Sequence, residues 1–223
     1  MVFLSVSRPA GDNHDIFVSS MTIRTLFGRS RMPGTTGTRN AIFMSIAQKE
    51  SVLQIRYNTS TLHLEDMPLD IGYASERVEL QNSLNESFSI GGQSGATQLI
   101  VTTPFIDEEL LVQLHDINVL MDLNALGEIS KTLIVATGKH HFSDFGGWRS
   151  GIDKTQAFGD YYGIRLSPGE LGGEFAKALF VVSKDGALFY HEILSDLNAS
   201  FDLEKALVKI AAAHNCYTGK GCH

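Results

Sequence analysis

Along the chain, apolar and polar residues alternate with two different periods, and the clearest switch between them falls at residues 97–122. Thr97 to Thr102 is a β-branched, mostly apolar run with the signature of a buried strand. Pro104 ends it, and Asp107 stands where a helix N-cap belongs. Glu108 and Glu109 then fill a first turn that favours carboxylates. Leu110, Leu111, Leu114, Ile117, Leu120 and Met121 recur at helical spacing, so one apolar helix face is expected, with Leu111 buried in it against Leu114 and the sheet.

Around this unit the pattern predicts further elements. Residues 51–58 and 61–65 alternate as half-buried strands. Leu69 to Tyr73 is expected to return as a strand after the Asp66–Pro68 turn, and Ser87 to Ile90 forms another short strand. Lys131 to Thr137 is a second buried strand, giving a βαβ unit with parallel strands. Gly138 to Ser150 has the composition of a polar loop. Asp153 to Tyr162 is a short helix closed by Gly163. Ala178 to Val182 and Leu188 to Ile193 are strands joined through Asp185-Gly186, a hairpin signal, and Phe201 to Ala213 is the last helix. The sum is an α/β fold: a central mixed β-sheet flanked by helices, with an N-terminal β-hairpin, in the thioredoxin-like arrangement. Three parts are expected: an N-terminal extension over 1–50, loosely structured or docked; the domain over 51–213; and a flexible tail over 214–223.

Composition narrows the function classes. With 223 residues and 43% hydrophobic content the chain can bury one sizeable core, and 19% charged residues is too few for disorder throughout. Net charge is −7, unevenly spread: residues 1–50 hold six Lys/Arg against three Asp/Glu, the remainder twelve against twenty-two. The arginines Arg24, Arg29, Arg31 and Arg39 form the basic part. An acidic body argues against nucleic acid as a partner. No apolar run reaches the roughly 18 residues of a membrane span. Both cysteines, Cys216 and Cys222, fall in the last eight residues, which excludes a disulfide framework for the fold and makes a reducing, cytoplasmic compartment the expectation. His140 and His141 are adjacent and lack a third ligand at sensible spacing, so no metal and no cofactor is expected. Gly91 to Gly95 precedes a strand rather than a helix, the wrong order for a phosphate cradle.

The segments 62–71, 98–107, 160–163 and 176–186, together with the final helix, resemble in order and spacing the thiol peroxidases, the atypical two-cysteine branch of the peroxiredoxins. The resemblance covers residues of about 62 to 212 and implies a bacterial homodimer that reduces peroxide with thioredoxin as its reductant. It also implies an active site with the pattern Pro, three residues, Thr or Ser, two residues, Cys. Here the proline is Pro104, the hydroxyl position is Glu108 and the cysteine position is Leu111. The matching cation is Arg149 or, aligned without a gap from Gly163, Lys154. A thiolate is needed to attack the peroxide O–O bond, and a carboxylate at Glu108 would oppose one. The leading expectation is therefore a degenerate member, with vestigial positions Pro104, Glu108, Leu111 and Arg149, acting as a binding or structural protein. The alternative is a thiol-dependent redox protein using Cys216 and Cys222 as its pair.

Overall fold

A computed structural model describes residues 53–139 and 143–216. The chain divides between Ala47 and Gln48, and everything described belongs to the second unit. The readings made on residues 1–50, on His140 and His141, and on Cys222 lie outside the described residues.

The strands are β1 (Gln54–Tyr57), β2 (Ser60–His63), β3 (Val78–Gln81), β4 (Ser87–Ile90), β5 (Thr97–Thr102), β6 (Ile129–Val135), β7 (Trp148–Ile152), β8 (Ala178–Val182) and β9 (Leu188–Ile193). The helices are α1 (Glu108–Leu123), α2 (Ala157–Tyr162) and α3 (Leu203–Asn215). β1 and β2 make the expected hairpin. The other seven strands form one mixed sheet in the order β4-β3-β7-β6-β5-β8-β9. β5 and β6 are parallel neighbours, Thr97 opposite Ile129 through Thr102 opposite Ile134, and β8 runs antiparallel on the other side of β5.

Every residue of β5 is buried because helices cover both faces of the sheet. Leu99, Val101, Leu133, Leu179 and Val181 point to the face carrying α1 and α3. Ile100, Ile134, Phe180 and Val182 point to the opposite face, where Phe158 and Tyr162 of α2 complete a second core.

Three parts of the chain depart from the sequence pattern, each because tertiary partners outweigh it. β7, Trp-Arg-Ser-Gly-Ile, lies partly inside the expected polar loop. It pairs in parallel with β6, and the Trp148 indole donates to the Leu114 carbonyl at 3.2 Å. Asp144 accepts from both the Ser150 backbone and its hydroxyl, at 2.7 and 3.0 Å. Gly151 is needed there: a Cβ would sit 2.8 Å from Leu80 Cδ1. Leu69 to Tyr73 is not a strand but a crossing segment, tied by Leu69 N–H to the Tyr162 carbonyl and by Gly72 N–H to the Leu188 carbonyl. α2 begins at Ala157 instead of Asp153, because the buried Asp153 carboxylate is spent accepting from Gly159 N–H at 3.0 Å and from the Thr155 hydroxyl. Its end falls as expected at Gly163, in the left-handed region, where a Cβ would be 2.1 Å from the Met67 carbonyl oxygen. The last helix starts two residues later than its apolar run, since Asp202 caps it by accepting from Lys205 N–H at 3.0 Å.

Candidate functional site

In an open sheet with parallel strands, ligands and chemistry gather beyond the strands' C-terminal ends. β5 delivers the chain there through Thr102, Thr103 and Pro104, all buried. The Thr102 hydroxyl donates to the Ala176 carbonyl at 2.8 Å, and the Thr103 hydroxyl donates to the Phe105 carbonyl at 2.5 Å. Neither hydroxyl is left to meet a substrate. The α1 N-terminus follows, capped as the sequence predicts: Asp107 Oδ1 accepts from Leu110 N–H at 2.8 Å, with Glu108 and Glu109 in the first turn. One N–H that would attract an anion, that of Leu110, is thus answered by the chain's own Asp107, and the two glutamates add negative charge beside the others.

Leu111 is not in the core. The face of α1 against the sheet is Leu110, Gln113, Leu114, Ile117 and Met121, and Leu111 lies one position round the helix, 38% exposed. This corrects the expectation of burial. Consecutive helical residues stand 100° apart, so with Leu110 facing the sheet Leu111 turns toward the surface. Glu108 is exposed and Pro104 is buried.

Arg149 is not brought to the site either. It is an exposed residue of β7, and its guanidinium lies 4.8 Å from the centroid of the Phe88 ring, which packs on the core opposite α1. Its neighbour Trp148 takes the α1 face, so strand alternation sends Arg149 to the other side. Lys154 donates to the Asn85 side chain at 2.7 Å, at an exposed position.

The cation that does reach the α1 N-terminus is Lys177, just before β8. It is 2% exposed. Its Nζ donates to the Ala199 carbonyl at 2.8 Å and lies 5.7 Å from the centroid of the Phe201 ring. Burial pulls its ammonium below the usual lysine range, while the carboxylates of Asp107, Glu109 and Asp196 pull it back. Around it the segment 195–202 is clamped onto α1. The Ser200 hydroxyl donates to Glu109 at 2.7 Å, Phe201 N–H donates to the buried Gln113 side chain at 3.0 Å, and Arg56 pairs with Asp196 at 2.6 Å. Lys177 and Gln113 were not legible as site residues. The available signal was a lysine set directly against the apolar run Ala178–Val182, and a glutamine on the buried face of α1.

Among the described residues the arrangement holds charge but offers no thiol. Cys216 is the C-cap residue of α3, its N–H donating to the Ala212 carbonyl, and it is disulfide-bonded. α1 and α3 run side by side in the same sense. Their starts meet through Ser200–Glu109 and Phe201–Gln113, and their far ends meet where Gly127 abuts His214. Cys216 therefore sits a helix length, about 20 Å, from the α1 N-terminus. Among the described residues no three His, Cys, Asp or Glu side chains could share a metal ion, and no helix is long and apolar enough to cross a membrane.

A scan against models of known families finds no match. The chain is 26% identical to the thiol peroxidase of Campylobacter jejuni over 189 residues, 76% of this chain and 98% of that protein. Among solved structures it is similar to a peroxiredoxin-like protein from Aquifex aeolicus, with a TM-score of 0.63 and 16% identity, covering 71% of this chain and 95% of that one. It is also similar to the thiol peroxidase from Chromobacterium violaceum, with a TM-score of 0.60 and 16% identity, covering 69% and 93%. At such identities the structures speak for the fold, and the sheet and helix order speaks for the same arrangement: the chain has the thioredoxin-like fold of the peroxiredoxins, and its sequence is similar to that of a thiol peroxidase.

Proposed function

We propose that this protein keeps the thiol peroxidase scaffold without its reaction and serves as a binding or structural protein. The observation that carries this reading is the content of the α1 N-terminus. Carboxylates and a buried, hydrogen-bonded lysine occupy the place where a peroxide-reducing thiolate is needed, and the chain has no cysteine before Cys216. By the resemblance, Leu111 stands at the nucleophile's position, and a leucine supplies neither electrons nor charge.

The second reading, a redox pair of Cys216 and Cys222, draws on the disulfide at Cys216. The end of α3 opposes it. A helix C-terminus carries partial negative charge, which disfavours a thiolate, whereas an N-terminus favours one. A homodimer in a bacterial cytoplasm, with thioredoxin as reductant for any surviving thiol chemistry, completes the proposal. Light scattering should give about twice the 24.4 kDa chain mass.

The test is peroxide consumption coupled to thioredoxin and its reductase, for three proteins: the parent, Leu111→Cys with Glu108→Thr, and Cys216→Ser with Cys222→Ser. The parent is expected to be inert, the first variant to gain turnover, and the tail variant to match the parent. Rapid turnover by the parent, lost only in the tail variant, would make the tail the active centre and overturn the leading reading.

A further inference from the structure

β9 is the last strand of the seven-stranded sheet, so half of its backbone groups face away from β8. Among the described residues, that outer edge is covered at its start, where Gly72 N–H donates to the Leu188 carbonyl and Leu188 N–H donates to the Tyr73 carbonyl. Just past its end β1 takes over, with Arg56 N–H on the Ser195 carbonyl and Leu197 N–H on the Arg56 carbonyl. Between these two stretches, beside His191 and Ile193, lies a cavity of about 330 Å³ lined by Leu53, Met67, Pro68, Asp70, His191 and Ile193. His191 packs edge-on against Phe180, which places the cavity on the sheet face opposite α1.

Apolar surface spreads beyond the cavity. Met67 is 61% exposed, Ile71 53% and Tyr73 62%, next to one another along one crossing segment. Soluble proteins seldom leave such a run uncovered without a partner. The charge along it is mainly acidic: from Leu64 to Glu76 the chain carries Glu65, Asp66, Asp70 and Glu76, with Arg165 packed against Glu65 and Arg77 following Glu76. Among the described residues, only Glu65 of these has an ion-pair partner, Arg165 at 3.3 Å.

We propose that this surface binds an extended, basic peptide segment of another protein. The peptide adds along the open stretch of β9, sets one bulky apolar side chain into the cavity, and places flanking lysines or arginines against Asp66 and Asp70. Strand addition supplies backbone hydrogen bonds, and the pocket supplies selectivity. A second copy of this chain fits less well, because it would bring the same carboxylates face to face. A small molecule held in the cavity would leave Ile71 and Tyr73 uncovered. The surface lies apart from the α1 N-terminus, so it stands whether or not the chain reduces peroxide.

The probe is a fluorescein-labelled octapeptide of alternating lysine and valine with one central phenylalanine, titrated with the full chain by fluorescence anisotropy. Binding is expected with a Kd on the order of 10–100 µM, weakening as salt rises. Met67→Lys, which puts a cation in the cavity mouth, should weaken it at least tenfold, and Asp70→Asn about threefold. Both positions are on the surface, and unchanged circular dichroism and melting show that the fold is kept. No binding at 1 mM peptide, or binding indifferent to both substitutions, overturns the proposal. So does displacement by phenylalanine amide at the peptide's own concentration, which makes the cavity a small-molecule site. Conversion of a dimer to a monomer by Met67→Lys would assign the surface to a second copy instead.

Discussion

The start of α1 and the end of α3 are two helix termini with opposite shares of what thiol chemistry needs. The α1 terminus has the position: the C-terminal ends of the parallel strands β5 and β6, a helix N-terminus and a buried cation at Lys177. It lacks sulfur. The α3 terminus has Cys216, in a disulfide, at the end of a helix dipole that disfavours negative charge and about 20 Å away. The difference teaches that a scaffold and a reactive residue do not amount to a site unless the fold puts them together. Placement alone is worth roughly 7–11 kcal/mol of a barrier.

The sharpest way to break this comparison is to move the sulfur. With Leu111→Cys and Glu108→Thr, the introduced thiol should react with peroxide at least about a hundredfold faster than the reduced tail cysteines, followed by stopped-flow loss of free thiol. Equal rates would show that the α1 terminus confers nothing. Next in size is the clamp. Lys177→Met leaves the Ala199 carbonyl without its donor and Asp107, Glu109 and Asp196 without their shared cation, and should cost about 2–4 kcal/mol in denaturant unfolding. Gln113→Leu removes the acceptor of Phe201 N–H and should cost about 1–2 kcal/mol, read in the same way.

The pH dependence sharpens the same point. Lys177 is held below its ordinary value of 10.5 in the folded chain, so between that lowered value and 10.5 the unfolded chain binds more protons. Stability should therefore rise with pH through that window in the parent relative to Lys177→Met. The comparison is made below pH 10, because Tyr162 and Tyr190, pushed up to about 12 chiefly by burial, lower stability above it. A pH profile identical in the two proteins would show that Lys177 is solvated. The smallest effect is expected at Leu111→Asp, within about 0.5 kcal/mol by thermal melting, since the side chain stands outside the core. A large loss would return Leu111 to the buried face.

The elements with strong local signals were legible in the sequence. β5 and β6 read as strands because each carries an uninterrupted apolar run, Leu99–Val101 and Leu133–Val135, beside β-branched threonines. Asp107, Glu108 and Glu109 marked the start of α1, Gly163 the end of α2, and Asp185-Gly186 the β8–β9 hairpin, because caps and tight turns depend on the residue at one position. The family resemblance also came from sequence, since order and spacing of segments survive where single motifs do not. What tertiary structure decided is what depends on distant partners. β7 exists because β6 offers a ladder and Trp148 a buried anchor, although Arg149, Ser150 and Gly151 are weak strand formers. The resemblance matches Leu111 and Arg149 to the site, yet the alternation of a strand turns Arg149 to the other face of the sheet, and a rotation of 100° on the helix takes Leu111 out of the core while leaving it near the start of α1. Lys177 was brought there instead, by a strand that enters the sheet some seventy residues after α1 begins. Local propensity is fixed by near neighbours, whereas which charges meet at a helix terminus is fixed by how strands from far apart in the chain are ordered in the sheet.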